Sequence, residues 1–268
     1  MNPPLLDYAD LAMAAVLVVL NAGLSLLLNL GFGRALLIAG VRMVVQLLLV
    51  GLVLKTVFAL DSPVAIAVVV LAMLATSGYE ILSRQQRRLA GFWGFGVGAG
   101  TTMLATVFVT AFALVTLRPD PWFAPQVVIP LVGIVLGSVM NGVSISLNAF
   151  NTGIVRERAS IEARLALGAN RYAALRPMQR SALRSGMIPI INQMTAAGII
   201  TLPGMMTGQI LAGMAPFEAA KYQILVLFLL AGGAGLGALG ATWVAVWLTT
   251  DERDRLRLDR LVRPQDQD

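Results

Sequence analysis

Cysteine and histidine are both absent from the 268 residues. Without thiols no disulfide can form, and the compartment's redox state leaves no mark on the sequence. Without thiolate or imidazole ligands the common zinc and copper sites are excluded as well. Charge is scarce: 13% of residues are charged and 57% are hydrophobic. No polar segment exceeds about 35 residues, which leaves little room for a soluble domain of any size. The opening "MNPPLLDYAD" holds no positive residue before the first apolar run and does not read as a cleaved signal peptide. The P-loop pattern Gly-x4-Gly-Lys-Ser/Thr is missing too. The two lysines, Lys55 in "GLVLKT" and Lys221 in "AAKYQ", do not complete it.

What the chain does have is long apolar runs, and about 20 such residues cross a ~30 Å hydrocarbon layer. Runs and their breaks predict an all-α, polytopic membrane protein forming a single permease-like domain over 1–268. Seven spans are expected near 8–30, 35–58, 63–83, 92–117, 126–150, 187–213 and 219–249. Alternating the loops from an outside N-terminus puts 17 basic residues inside, including Arg34, Arg42, Arg84, Arg87, Arg88 and the five from Arg253 to Arg263. Only Lys55, Arg118 and Lys221 fall outside. That bias predicts an N-out, C-in topology with a basic cytoplasmic tail over 250–268. The net charge of +6 is loop charge of this kind and points to no nucleic-acid partner.

The stretch "IEARLALGANRYAALRP", Ile161 to Pro177, lies in a polar segment over 151–186, where seven arginines fall between Arg156 and Arg184. Residues 151–168 read as a helical extension of the fifth span, with Ile154, Ile161 and Leu165 on one face and Gly168 as the stop. "ANRYAAL" is expected to form a short helix before Pro177, which would open a new helix carrying Arg180 and Arg184. Two uses fit this shape. A helix held across the membrane face can dock a soluble partner, or an arginine-rich loop can rest on anionic lipid headgroups.

"EARLALG", Glu162 to Gly168, is similar to the Glu-Ala-Ala…Gly motif in the cytoplasmic loop of ABC transporter permeases, with Arg164 in place of the second alanine. "VIPLVGIVLGSVMNGVS" (128–144), "TLPGMMTGQILAGMAPFEAAKYQI" (201–224) and "GVRMVVQLLLVG" (40–51) resemble the bacterial iron-export permease family, which also includes the plant aluminium-sensitivity membrane subunits. The resemblance implies a membrane subunit that binds no cofactor itself and works beside a separate cytoplasmic ABC ATPase carrying ATP and Mg. It also implies two copies of each subunit, a bacterial inner-membrane location and export of a metal ion. Glu162, Ala163, Gly168, Ala169, Asn170, Arg171 and Tyr172 would then form the coupling segment.

Several polar residues sit inside apolar runs. Arg42 shares a face with Gln46; it either snorkels to headgroups or anchors a carboxylate such as Glu80, which also has Arg84 four residues on. Gly137, Asn141, Ser144, Asn148 and Asn151 form one stripe along the fifth span, fit for a translocation path or an interhelical hydrogen-bond seam. Asn21, Ser25 and Asn29 make a weaker stripe on the first span that reads as packing. "TLPGMM" breaks the sixth span at Pro203 and Gly204, with Asn192 and Gln193 before it and Met205 and Met206 after. Transporters place substrate at such breaks, although a kink alone is common. Met194, Met205, Met206 and Met214 are filler or soft-metal ligands, and the sequence assigns no metal site. Gly-x3-Gly spacing in "GFWGFGVGAG" and "GGAGLGALG" reads as close helix packing, within the chain or across a dimer. The readings left are an ABC permease, for a metal or another small molecule, and a stand-alone carrier or channel. An intramembrane enzyme would need acid–base or metal groups that the sequence lacks.

Overall fold

The computed structural model describes residues 7–60 and 62–262; Arg263, counted among the inner basic residues above, and the part of the expected tail beyond residue 262 lie outside the described residues. The chain forms two compact units, Met1–Ser62 and Pro63–Asp268.

The first unit is a helical hairpin of α1 (Tyr8–Leu27) and α2 (Gly33–Leu60). Its turn is set by Asn29 and Gly31, both at positive φ, and is closed by Ser25, whose Oγ accepts the Phe32 amide at 3.2 Å. Ala22 and Ser25 are buried against Gly33, where an added Cβ would lie 2.7 Å from the Ala22 carbonyl oxygen. The Asn21–Ser25–Asn29 stripe is accounted for within this hairpin, with Asn21 Nδ2 bonded to the Leu17 carbonyl.

The second unit contains α3 (Pro63–Ser83), α4 (Phe92–Leu117), α5 (Pro125–Arg156), α6 (Arg158–Ala166), α7 (Arg171–Ala196), α8 (Gly204–Leu211) and α9 (Pro216–Leu248). Helix α5 is central and packs on α3, α4, α7 and α9. Between apolar helices in lipid, association depends on close van der Waals approach, so small residues mark the crossings. Gly233 and Gly237 of α9 meet Val139 of α5, and Gly98 of α4 meets Ile81 of α3, so these glycines serve packing within the chain. The tightest approach is α5 against α7. A Cβ on Gly186 would lie 2.0 Å from Ser146 Oγ and 2.6 Å from the Gly142 carbonyl oxygen.

After α9 the chain folds back. A two-residue strand β2 (Leu261–Val262) pairs antiparallel with β1 (Arg88–Leu89) in the α3–α4 loop, and the Ala90 amide donates to the Arg260 carbonyl at 2.8 Å. The α3–α4 loop, the start of α7 and the end of α9 therefore share one end of the unit, together with Arg84–Arg88, Arg171 and Arg253–Arg260.

Among the described residues, six helices are long and apolar enough to cross a membrane: α1, α2, α3, α4, α5 and α9. The sixth expected span, 187–213, is not one helix. Helix α7 stops at Ala196, seven residues before Pro203, because Gly198 turns the backbone to φ +84° and Thr201 bonds back to Ala196. Helix α8 then begins after Pro203 and has only eight residues, about 12 Å of rise, too short to span alone. Nor does Pro177 open a new helix after a short one over 169–176. Helix α7 runs unbroken from Arg171 through Pro177 and Pro189. A proline near the start costs the helix one hydrogen bond, and burial of Ala174 and Leu175 holds that turn in place.

Candidate functional site

The polar segment folds into a capped helix–turn–helix tip. At the end of α6 the Ala169 amide bonds to the Arg164 carbonyl and the Gly168 amide to the Leu165 carbonyl, both at 3.0 Å. With Gly168 at φ +90° this is a Schellman stop, which a residue with a Cβ would strain. Two residues later Asn170 starts α7, its Oδ1 accepting the Ala173 amide at 2.9 Å. Ile154, Ile161 and Leu175 are buried beneath and tie the tip to the core.

The expected coupling residues divide into two groups. Glu162, Ala163 and Gly168 are exposed on the outer surface, where Glu162 pairs with Arg158 at 2.7 Å. Ala169 is half-buried in the turn. Arg171 and Tyr172 are instead engaged within the chain, Arg171 half-buried and Tyr172 at the surface. Arg171 Nε pairs with Asp254 in the folded-back tail, and Tyr172 stacks on Trp243 of α9 at 5.7 Å between centroids. One residue escaped the sequence reading. Leu167, 89% exposed at the apex, is an apolar side chain offered to solvent beside the stop glycine. A leucine immediately before a helix-stop glycine was the available signal.

The asparagine stripe of α5 also divides. Asn151 Nδ2 donates to Gln85 Oε1 at 3.2 Å and to the Arg87 carbonyl at 3.0 Å; Asn148 Oδ1 accepts the Gln86 amide at 2.9 Å. These two amides fasten the α3–α4 loop onto α5. Ser144 is buried. Gly137 and Asn141, one to four turns farther along, open instead into a pocket of about 270 Å³ between α5, α7 and α9, with Ser138, Gly186 and Gln193 also lining it. Asn141 Oδ1 accepts a long 3.4 Å bond from Arg84, whose Nη2 pairs with Glu80 at 3.2 Å.

The remaining expected path residues of the second unit do not line that pocket. Asn192 is exposed on α7, one residue from the pocket-lining Gln193. Pro203 caps α8, and Gly204, Met205 and Met206 form its first turn. Arg42 and Gln46 lie on the exposed surface of α2 in the first unit. Among the described residues, no group of three or more His, Cys, Asp or Glu is placed to hold a metal ion.

The Uncharacterised protein family UPF0014 matches residues 8–248, from the first residue of α1 to the last of α9. The chain belongs to the UPF0014 family. A UPF0014 membrane protein of Synechocystis sp. is 37% identical over 231 residues, covering 84% of this chain and 86% of its own length. The probable iron export permease protein FetB of Escherichia coli is 29% identical over 265 residues, 97% of this chain and 99% of its own. Protein ALUMINUM SENSITIVE 3 of Arabidopsis thaliana is 31% identical over 234 residues, 87% and 84% respectively. No solved structure matches. This UPF0014 protein is thus a multi-pass membrane permease, and the helices holding the tip and the pocket all fall within the family's matched stretch.

Proposed function

We propose that this UPF0014 chain is the membrane subunit of an ABC transporter that exports a metal ion across a bacterial inner membrane. ATP and Mg act on a separate cytoplasmic subunit, two copies of which dock on a dimer of this chain. The observation that carries the reading is the α6–α7 tip: a doubly capped, core-anchored projection that presents Leu167, Ala163 and Glu162 outward. A rigid projection with an exposed apolar apex suits insertion into a groove of a partner; a headgroup-binding loop needs neither the caps nor the leucine. The name of the Escherichia coli relative supports iron as cargo and export as direction. The cargo would pass the pocket at Asn141, Ser138 and Gln193. Amide and hydroxyl oxygens there suit a hard cation better than a thioether-seeking one.

The test is to tag the full-length chain, extract it gently from its own membranes and quantify what accompanies it. A P-loop ATPase in about equal amount is expected, and Leu167→Asp or Glu162→Lys should remove it while the chain's thermal midpoint stays unchanged. Leu167 is nearly free of intramolecular contact, so its replacement has little to disturb in the fold. Equal ATPase recovery from wild type and both variants would overturn the docking assignment, and recovery of the chain alone would favour a stand-alone carrier.

A further inference from the structure

At the arginine-rich end of the second unit, a cavity of about 790 Å³ opens between the α3–α4 loop, the start of α7 and the folded-back tail. Its lining mixes apolar and charged residues. Trp93, in the first turn of α4, and Trp247, in the last turn of α9, stand at its edge with 63% and 54% of their surface exposed. Leu89 and Leu248, both buried, contribute apolar floor. The lining also carries four arginines, Arg171, Arg253, Arg255 and Arg260, against two carboxylates, Asp251 and Glu252.

Most of these charges are already committed. Arg171 pairs with Asp254, Arg255 pairs with Asp251 at 2.9 Å, and Arg260 donates to the Leu248 carbonyl at 2.7 Å. Asp251 is further occupied by the amides of Arg253 and Arg255. The guanidinium of Arg253 has no hydrogen-bond or ion-pair partner among the described residues. Its neighbour Glu252 is the one wall carboxylate in the same condition. Counting Asp254, the wall keeps an excess of one positive charge, and the Arg253 side chain that lines it is uncommitted.

Paired tryptophans at the ends of spanning helices mark the depth of the headgroups. A basic pocket at that depth, between spanning helices, has the chemistry of a phospholipid site. A free phosphate would use the arginines and have no use for the tryptophans and leucines. A zwitterionic headgroup would bring its own ammonium to a wall already in cationic excess. The geometry points to a binding site for one anionic glycerophospholipid of the adjacent leaflet, its phosphate on Arg253 and its acyl chains leaving past Trp93 and Trp247. Bound there, the lipid bridges the tail, the start of α7 and the end of α9. The site does not depend on the docking of an ATPase at the tip.

The test uses the full-length chain reconstituted in phosphatidylethanolamine vesicles containing a minority of phosphatidylglycerol, with retained lipids counted by native mass spectrometry after mild extraction. Phosphatidylglycerol is expected to be retained at about one per chain and enriched over its share of the vesicle. Arg253→Gln should lower its retention about fivefold and Arg253→Glu about thirtyfold, the weight of one and two elementary charges near a membrane surface. Glu252→Gln should raise it, and Arg158→Gln, on α6 outside the cavity, should leave it unchanged. Arg253 makes no side-chain contact that folding needs, so unchanged thermal midpoints are expected for both of its variants. Equal retention of the two lipids, or retention indifferent to Arg253→Glu, overturns the site. So does complete displacement by millimolar inorganic phosphate, which would make it a general anion pocket. Loss of a co-purifying protein from Arg253→Glu with lipid retention intact would reassign the wall to protein docking.

Discussion

The crossing of α5 and α7 can be tested with a single methyl group. In Gly186→Ala the new Cβ would meet Ser146 Oγ at 2.0 Å and the Gly142 carbonyl oxygen at 2.6 Å. The serine hydroxyl can rotate away. The carbonyl is held by its own helix, so the two backbones must part by about 1 Å to restore ordinary contact near 3.5 Å. Overpacking of this kind costs about 1–3 kcal/mol, reduced by the ~0.5–1 kcal/mol that alanine gains over glycine inside a helix. The matched control is Gly232→Ala on α9, where nothing lies within 4 Å of the added carbon and only the gain remains. Thermal unfolding of the purified chain in one detergent should place Gly186→Ala several degrees below wild type and Gly232→Ala level with it or above, at about 2–4 °C per kcal/mol. If Gly186→Ala is no less stable than Gly232→Ala, the α5–α7 contact is not as close as described. Gly186 also lines the amide pocket, so the loss of stability should be accompanied by impaired transport.

Three further outcomes follow from the same geometry. Asn151→Leu removes two bonds to the α3–α4 loop and should cost about 1–3 kcal/mol by leaving buried polar groups unsatisfied, seen as a lower midpoint and poor recovery. Asn141→Leu, which gives up a single long bond from Arg84, should instead keep the midpoint within a degree or two and slow metal efflux from vesicles; the reverse order would return Asn141 to packing. In the tail, the Arg255 amide, with the Arg255 side chain and the Arg253 amide, holds the Asp251 carboxyl below its ordinary 3.8. A lowered pKa means the turn's stabilisation is complete above pH 3.8 and is lost as pH falls through the folded-state value. Hydrogen-exchange protection of the Arg253 and Arg255 amides should therefore be flat from pH 5 to 8 once corrected for intrinsic rate, and decline below about pH 4. Asp251→Asn should lower protection throughout and abolish the acid step.

Elements whose physics is local were legible from sequence. Six long apolar helices follow from hydropathy alone, and Gly168 announces itself as a stop because the residues before it are helix formers and it alone accepts φ +90° without cost. The end of α7 was hidden for the opposite reason. Ile199, Ile200 and Leu202 keep the apolar run going past Gly198, so composition registers no break until Pro203 although the backbone has already turned. Pro177 misled because a proline signals a boundary in isolation, while buried neighbours Ala174 and Leu175 outweigh one lost bond. The asparagine stripe was visible as a stripe. Its division was not, because the groups that occupy Asn148 and Asn151 come from a loop more than 60 residues earlier. The fold-back of the tail onto β1 likewise depends on pairing that no local window contains.

The unbroken course of α7 has a mechanical consequence. From Arg171 at the tip to Gly186 is about 22 Å of helix, and from Gly186 to Gln193 in the pocket about another 10 Å, at 1.5 Å per residue. Where the helix touches α5 backbone to backbone it has a pivot, and the two arms on either side are unequal. With a partner docked at the tip as proposed, a push on the long arm would reach Gln193 reversed in sense and roughly halved in amplitude, with the force correspondingly increased. Such gearing exchanges a wide, weak displacement at the protein's edge for a short, strong one at the amides. The exchange ratio is fixed by where in the sequence the glycine falls.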